Sequence, residues 1–208
     1  MRIFVTSDLH LGHDKEFLFT NRGFQSSSDH DRALISNWNS RVKPDDTVYI
    51  LGDIVMKHDE DDNDFEYGIS MLKQLNGKLH ILQGNHDSEA KLERYRQCPN
   101  VVSAGLAAEH LYYQNTPKNP QYHFYLTHAY TRWSRSLKKM KTAIITLYGH
   151  THQKEKFYTD SEFVHGHPYE YCVCLDAHNM YPVLLDDIIE DIKTKRAEYP
   201  KEYPEQSP

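Results

Sequence analysis

The sequence predicts an α/β fold, on three observations. Short apolar, β-prone runs recur along the chain and alternate with segments whose apolar residues fall at helical spacing. Five of those runs end directly in a polar motif, three of them through a glycine turn: Gly52-Asp53, Gly84-Asn85-His86-Asp87 and Gly149-His150-Thr151-His152. No internal repeat and no linker divides the 208 residues. In open α/β sheets, ligands bind beyond the carboxyl ends of the strands. Side chains delivered there are the candidate functional residues.

Composition narrows the function classes. The net charge is -6 with a pI of about 6.1, so the chain carries no global basic footprint for duplex nucleic acid. Hydrophobic residues are 38%, low for a large core, but 15 tyrosines can bury ring area while keeping the hydroxyl wet. Three cysteines are too few for a disulfide framework. Cys172 and Cys174 flank Val173 on a strand and point to one face; two buried core thiols is the preferred reading over a metal-binding pair. Reduced cysteines and no signal peptide point to the cytoplasm, and no stretch reaches transmembrane length.

Arg2–Thr6 reads as the first strand and delivers Ser7-Asp8-Leu9-His10-Leu11-Gly12-His13. Asp8 and His10 are two apart, so an extended backbone turns both to one side; alone, the pair is also what a polar loop carries by chance. Phe17–Phe24 reads as an irregular connection. Ser28 reads as an N-cap with Asp29 and Asp31 in the first turn, and Leu34, Ile35, Trp38 and Val42 follow at helical spacing. Thr47–Leu51 is the second strand, ending at Gly52-Asp53. The acidic run from Asp59 to Asp64 lacks the glycine and distal Glu of an EF-hand, so it reads as a solvated loop rimming the site. Phe65, Ile69, Leu72 and Leu75 mark a helix ending near Asn76-Gly77.

Leu79–Leu82 is a short buried strand that turns at Gly84 into Asn85, His86 and Asp87. Ser88 caps a helix through Leu92 to Arg96, which Pro99-Asn100 breaks. Val101–Tyr113 is β-prone and interrupted at Gly105, and Asn115–Pro120 is a turn or hairpin tip. Tyr122–Thr127 delivers His128. Thr131–Lys141 is a basic, solvated helix face whose Arg132 or Arg135 would lie within reach of a bound phosphate. Ala143–Tyr148 delivers His150 and His152. Glu170–Leu175 is a further strand; Asp176 and His178 beyond it read as turn structure, and His165 and His167 as loop residues. Asp186–Ala197 is a helix with Ile188, Ile189 and Ile192 on its apolar side, and Tyr199–Pro208 a frayed end.

Asp8, His10, Asp53, Asn85, His128, His150 and His152 thus share one placement. Their donors are all oxygen or nitrogen, which suits manganese, iron or zinc, with manganese favoured. Seven ligands exceed the needs of one ion. With Asp53 as a bridge they divide into four donors for each of two ions, about 3.5–4 Å apart in the clamp used for phosphate-ester hydrolysis.

Asp8-Leu9-His10, Gly52-Asp53, Gly84-Asn85-His86-Asp87, His128 and Gly149-His150-Thr151-His152, in that order from residue 8 to 152, resemble the calcineurin-like metallophosphoesterase superfamily. Less specifically, Asn39-Ser40 and Leu175–Leu185 are similar to its small single-domain bacterial and phage members. The resemblance implies a four-layer α/β/β/α sandwich of two mixed sheets over residues 1–198, with 199–208 a flexible tail. It implies that Asp8, His10 and His152 hold one divalent transition metal ion and Asn85, His128 and His150 the other, bridged by Asp53. Hydroxide between the ions would attack phosphorus, and His86 would be the non-ligand histidine that helps the leaving oxygen depart. Asp87 would orient His86 or form the turn, and His13 would lie near the site.

The family does not fix the substrate. The absence of a clear cap domain and the acidic run after Asp53 favour a small phosphodiester or phosphomonoester over long nucleic acid. The alternatives are a metal-dependent nuclease and a non-catalytic binding scaffold, which loss of ligands would support; no ligand is missing here. Oligomeric state stays open.

Overall fold

The computed structural model describes residues 1–56, 62–114, 116–117, 121–130, 144–159 and 166–199. The acidic run from Asp59 to Asp61, the basic run Thr131–Lys141, most of the hairpin tip, His165 and the tail beyond Tyr199 lie outside them. Among the described residues, nine strands form two mixed sheets. The first has the order β4-β3-β2-β1-β9, from β1 (Ile3–Thr6), β2 (Thr47–Ile50), β3 (Lys78–Leu82), β4 (Val101–Leu106) and β9 (Val183–Leu184). Its first four strands are parallel and β9 is antiparallel to β1. The second has the order β5-β6-β7-β8, from β5 (Ala108–Tyr113), β6 (Tyr122–Thr127), β7 (Ile144–Tyr148) and β8 (Glu170–Cys172). Here β6, β7 and β8 are parallel and β5 is antiparallel.

Alternation along the strands sorts most of the core into two clusters, with a smaller third around Tyr148, Cys172, Cys174 and Ala177. Phe4, Val48, Ile50, Leu79 and Ile81 face the helices α2 (Ser27–Arg41), α3 (Asp62–Leu72) and α4 (Glu89–Arg96), meeting Leu34, Trp38, Ile69, Leu72, Leu92 and Tyr95. Val5, Tyr49, Leu51 and Leu82 face the other way, onto Phe124, Leu126, Ile145, Leu147 and Tyr171 of the second sheet. The same cluster takes in Leu185, Ile188, Ile189 and Ile192 of α5 (Leu185–Glu198). Strands covered on both faces read as continuous apolar runs, as these do.

The helix cap moves from the expected Ser28 to Ser26, whose side chain accepts from Asp29 N. Asp31 then lies past the first turn, buried, and accepts from Gly12 N. Residues expected to be irregular form a six-residue helix, α1 (Glu16–Asn21), without a side-chain cap. It buries only Leu18 and leaves Phe17 63% exposed, which is why no apolar period marks it. Val101–Tyr113 becomes two strands of different sheets, β4 and β5. The strand expected to run to Leu175 stops at Cys172; Leu175–His178 is a 3-10 turn. Cys174 pairs instead with Ser7, joining the two sheets where β1 ends.

Candidate metal centre

Pairing between β1 and β2 continues past their ends and sets the site. Asp8 N donates to Gly52 O, His10 N to Asp53 O and Leu11 N to Ile54 O. The two loops therefore run side by side, carrying Asp8, His10 and Asp53 inward. Five of the seven candidate ligands (Asp8, His10, Asp53, His150 and His152) have left-handed backbones, with φ between 49° and 69°. Non-glycine residues adopt that region only where the surroundings impose it, commonly at functional sites. Two glycines make the approach. Gly52 has φ +88°, and a Cβ there would come within 2.5 Å of Gly84 Cα. At Gly84 a Cβ would lie 2.2 Å from Asp53 Oδ1.

The candidate ligands gather in two groups. In the first, Asp8 Oδ1 lies 3.8 Å from His10 Nε2 and 3.7 Å from His152 Nε2, and the two imidazole nitrogens are 3.0 Å apart. In the second, ligand atoms of Asp53, His128 and His150 lie within 4.8 Å of one another. His128 Nε2 is 3.5 Å from Asp53 Oδ2 and 2.7 Å from Asn85 Oδ1. The groups touch: His150 N donates to Asp8 Oδ2 at 2.9 Å.

Divalent metals fit this donor set. Asp8 Oδ1 is buried without a hydrogen-bond partner, although its other oxygen accepts from His150 N and the Cys174 thiol. His152 Nδ1 bonds the Asp176 carboxylate, so it carries the proton and leaves Nε2 as a lone pair. His128 Nδ1 donates to Leu51 O, which does the same for its Nε2. Lone pairs and carboxylate oxygens thus converge, which is the donor set a divalent cation takes.

The electrostatics differ from residue to residue. Burial, helped by the Arg22 charge and neighbouring imidazoles, holds the His10 pKa well below its ordinary value, keeping the ring neutral. Burial raises the Asp53 pKa, opposed by His128 and the His86 N–H, and reinforced by the Asp8 and Asp87 charges. Burial alone would lower His152, but its hydrogen bond to Asp176 and the Asp8 charge raise it. Burial pushes His13 down to about 4; its ring sits 5.6 Å from His10, against Phe17.

His86 belongs to neither group. Its backbone N–H donates to Asp53 Oδ1, its carbonyl accepts from Lys91 Nζ, and its ring lies 6.1 Å from that of His10. The alternatives for Asp87 resolve towards turn-building. Its carboxylate accepts from Asp53 N, Gly84 N, Ile54 N and the Tyr95 hydroxyl, tying the Gly52 and Gly84 turns together. A cavity of about 630 Å³, lined by Met56, Gln83, Asn85, His86, Ser88 and Lys91, opens beside these residues.

The model of the calcineurin-like phosphoesterase superfamily domain matches residues 1–171. The chain belongs to that superfamily. Its two sheets and helices are the α/β architecture of the family, whose members are generally phosphoesterase hydrolases that use divalent metals. An uncharacterized protein of Methanocaldococcus jannaschii is 34% identical over 86 residues, which cover 41% of this chain and 47% of that protein. The gene 66 protein of Mycobacterium phage L5 is 33% identical over 89 residues, covering 43% of this chain and 41% of the phage protein. The chain thus matches less than half the length of these curated relatives. A protein of unknown function from Aquifex aeolicus superposes with a TM-score of 0.61 at 17% identity, covering 91% of this chain and 98% of its own, and shares the fold. No described helix is long and apolar enough to cross a membrane.

Asp176 and Arg22 stand outside the seven expected ligands, yet both reach the site. Asp176 follows an apolar run, as the candidate ligands do, and that placement is the signal the sequence offers for it. In the structure it bonds His152 and a buried Arg22. Burial works against its ionisation, but the hydrogen bonds from His152 and Arg22 and the Arg22 charge hold its pKa far below the usual carboxylate range. His178 packs as turn structure, donating from Nε2 to Cys172 O, and His167 lies in a loop.

Proposed function

We propose that this chain is a dinuclear metal-dependent phosphoesterase that hydrolyses a small phosphodiester or phosphomonoester. The observation that carries this reading is the pair of adjoining ligand groups, Asp8, His10 and His152 beside Asp53, His128 and His150. Asp8, His10 and His152 would hold one ion and Asn85, His128 and His150 the other, with Asp53 shared. Bound there, two divalent ions supply positive charge against the phosphoryl oxygens and lower the pKa of water.

The chain's own residues supply the rest. The Asp87 carboxylate keeps Asp53 and Gly84 in register. Lys91 and Asp53 fix the backbone of His86, whose exposed imidazole delivers a proton to the departing oxygen. The cavity along Gln83, His86 and Ser88 receives the alcohol portion of the ester. The net charge of -6 and the Asp59–Asp64 run weigh against a long polyanion. Manganese suits the oxygen and nitrogen donors, and three reduced, buried cysteines suit a reducing compartment.

Elemental analysis of the purified protein, with hydrolysis assays on a panel of diesters and monoesters, tests the reading. Two ions per chain and turnover of a small ester are expected. Asp53→Asn should lose occupancy at both positions, because a neutral amide is a poor bridge. Full double occupancy in that variant would remove the bridging role. A wild-type protein that binds no divalent ion would remove the whole proposal.

A further inference from the structure

Asp176 and Arg22 form a clamp behind one ligand group. Asp176 Oδ2 accepts from His152 Nδ1 at 3.0 Å and from an Arg22 terminal nitrogen at 2.8 Å, while Oδ1 accepts from Arg22 Nε at 3.0 Å. The Arg22 side chain is 1% exposed. It also donates to the carbonyls of Asp8 at 2.8 Å and Leu9 at 3.3 Å, and to His30 Nε2 at 2.9 Å. A guanidinium has only donors, so His30 Nε2 accepts and its Nδ1 carries the proton. That proton goes to Asp31 Oδ1 at 2.8 Å, and Asp31 Oδ2 accepts from Gly12 N at 3.0 Å. Donor and acceptor roles are therefore set from Gly12 through to His152.

The second group takes its orientation from other parts of the fold. His128 is fixed by Leu51 O, and Asp53 by the Asp87 carboxylate on its backbone N–H. A carboxylate behind a metal-bound imidazole fixes the ring's tautomer and direction and raises its basicity.

We propose that Asp176, held by Arg22, is the positioning residue of His152: it fixes the Nδ1–H tautomer, aims Nε2 at Asp8 and His10, and sets the metal affinity of that group alone. This rests on the metal-centre reading above. Arg22 adds a second grip, because it holds the carbonyls of Asp8 and Leu9 in the loop that carries Asp8 and His10. The 3-10 turn and the loop after α1 thereby become part of one metal site.

The test is titration of the full-length, metal-free chain with Mn²⁺, followed by calorimetry and chelator competition, in wild type, Asp176→Asn and Asp176→Ala. Wild type should show two binding steps. In both variants one step should weaken by about 10–100-fold while the other keeps its affinity, and Asp176→Glu should recover part of the loss. Two unchanged steps in both variants would overturn the proposal, and so would equal weakening of both steps, which marks general damage. Should the variants fail to fold, ¹⁵N NMR of the wild-type imidazoles decides. A proton on His152 Nδ1 supports the proposal and one on Nε2 overturns it. Wild-type protein without any Mn²⁺ step would instead overturn the metal-centre reading, so the two failures are distinguishable.

Discussion

His86 gathers its importance from what it does not do. It takes no place in either ligand group, yet its backbone is held to Asp53 and Lys91. General-acid help is typically worth about 10²–10⁴ in rate, and its size depends on the leaving group. A nitrophenolate departs as a stable anion; an alkoxide does not. His86→Gln should therefore damage alkyl-ester hydrolysis far more than nitrophenyl-ester hydrolysis with both metals retained. Equal losses on the two ester types at unchanged metal content would reject the leaving-group role. His178 shows a different residue-scale effect. Burial lowers its pKa to about 4, so the native state refuses a proton that the unfolded chain accepts at about 6.5. Stability should then fall as pH drops from about 6.5 to 4 and gain nothing further from this group above that window. His178→Gln keeps a donor for Cys172 O and should show a flatter pH dependence than wild type when melting temperatures of metal-free protein are compared. Parallel profiles would show that the group does not contribute.

At the scale of elements, the glycine turns decide whether strand ends become a site. A methyl group at Gly84 has no room beside Asp53 Oδ1 and Asp53 N, at 2.2 and 2.4 Å. Gly84→Ala should leave the helices folded by circular dichroism while weakening metal at the group containing Asp53; unchanged metal content would show that the turn yields. These turns were legible in the sequence because a glycine behind an apolar run marks both where the strand stops and where the ligand-bearing loop begins. The left-handed backbones of Asp8, His10 and His152 were not legible. For Asp8 and His10 they accompany pairing between neighbouring loops, Asp8 N to Gly52 O and His10 N to Asp53 O, and no local pattern encodes that. The short helix α1 escaped because it buries one side chain, and Asp176 because its partner Arg22 is 154 residues away.

Across the whole molecule, the α/β class and most strands could be read from alternation and apolar length. Which sheet each strand joins could not. β4 and β5 are consecutive and equally β-prone, yet they fall in different sheets, a choice made by long-range packing. The candidate ligands come from loops of both sheets, so metal bound by them should act as a cross-brace. A ligand that binds only the folded state stabilises it by RT ln(1 + [L]/Kd). Added Mn²⁺ should raise the melting temperature in a concentration-dependent way and chelator should lower it, and Asp53→Asn should blunt both responses. A melting temperature indifferent to metal and chelator would argue that the sheets hold together without it.

Asp8 Oδ2 receives its thiol hydrogen bond from Cys174, 166 positions later. At translation speeds of about 5–20 residues per second, on the order of ten seconds separate the synthesis of these two residues. During that interval the growing chain presents Asp8, His10, Asp53, Asn85, His128, His150 and His152 in turn, all of them ahead of Cys174. Until the strands pair, these donors form no preorganised chelate, so metal met at the ribosome should be held weakly. The ion that stays should be the one met after the last strand has closed. Where the chain completes folding, rather than where its synthesis starts, should then decide which metal the proposed centre carries.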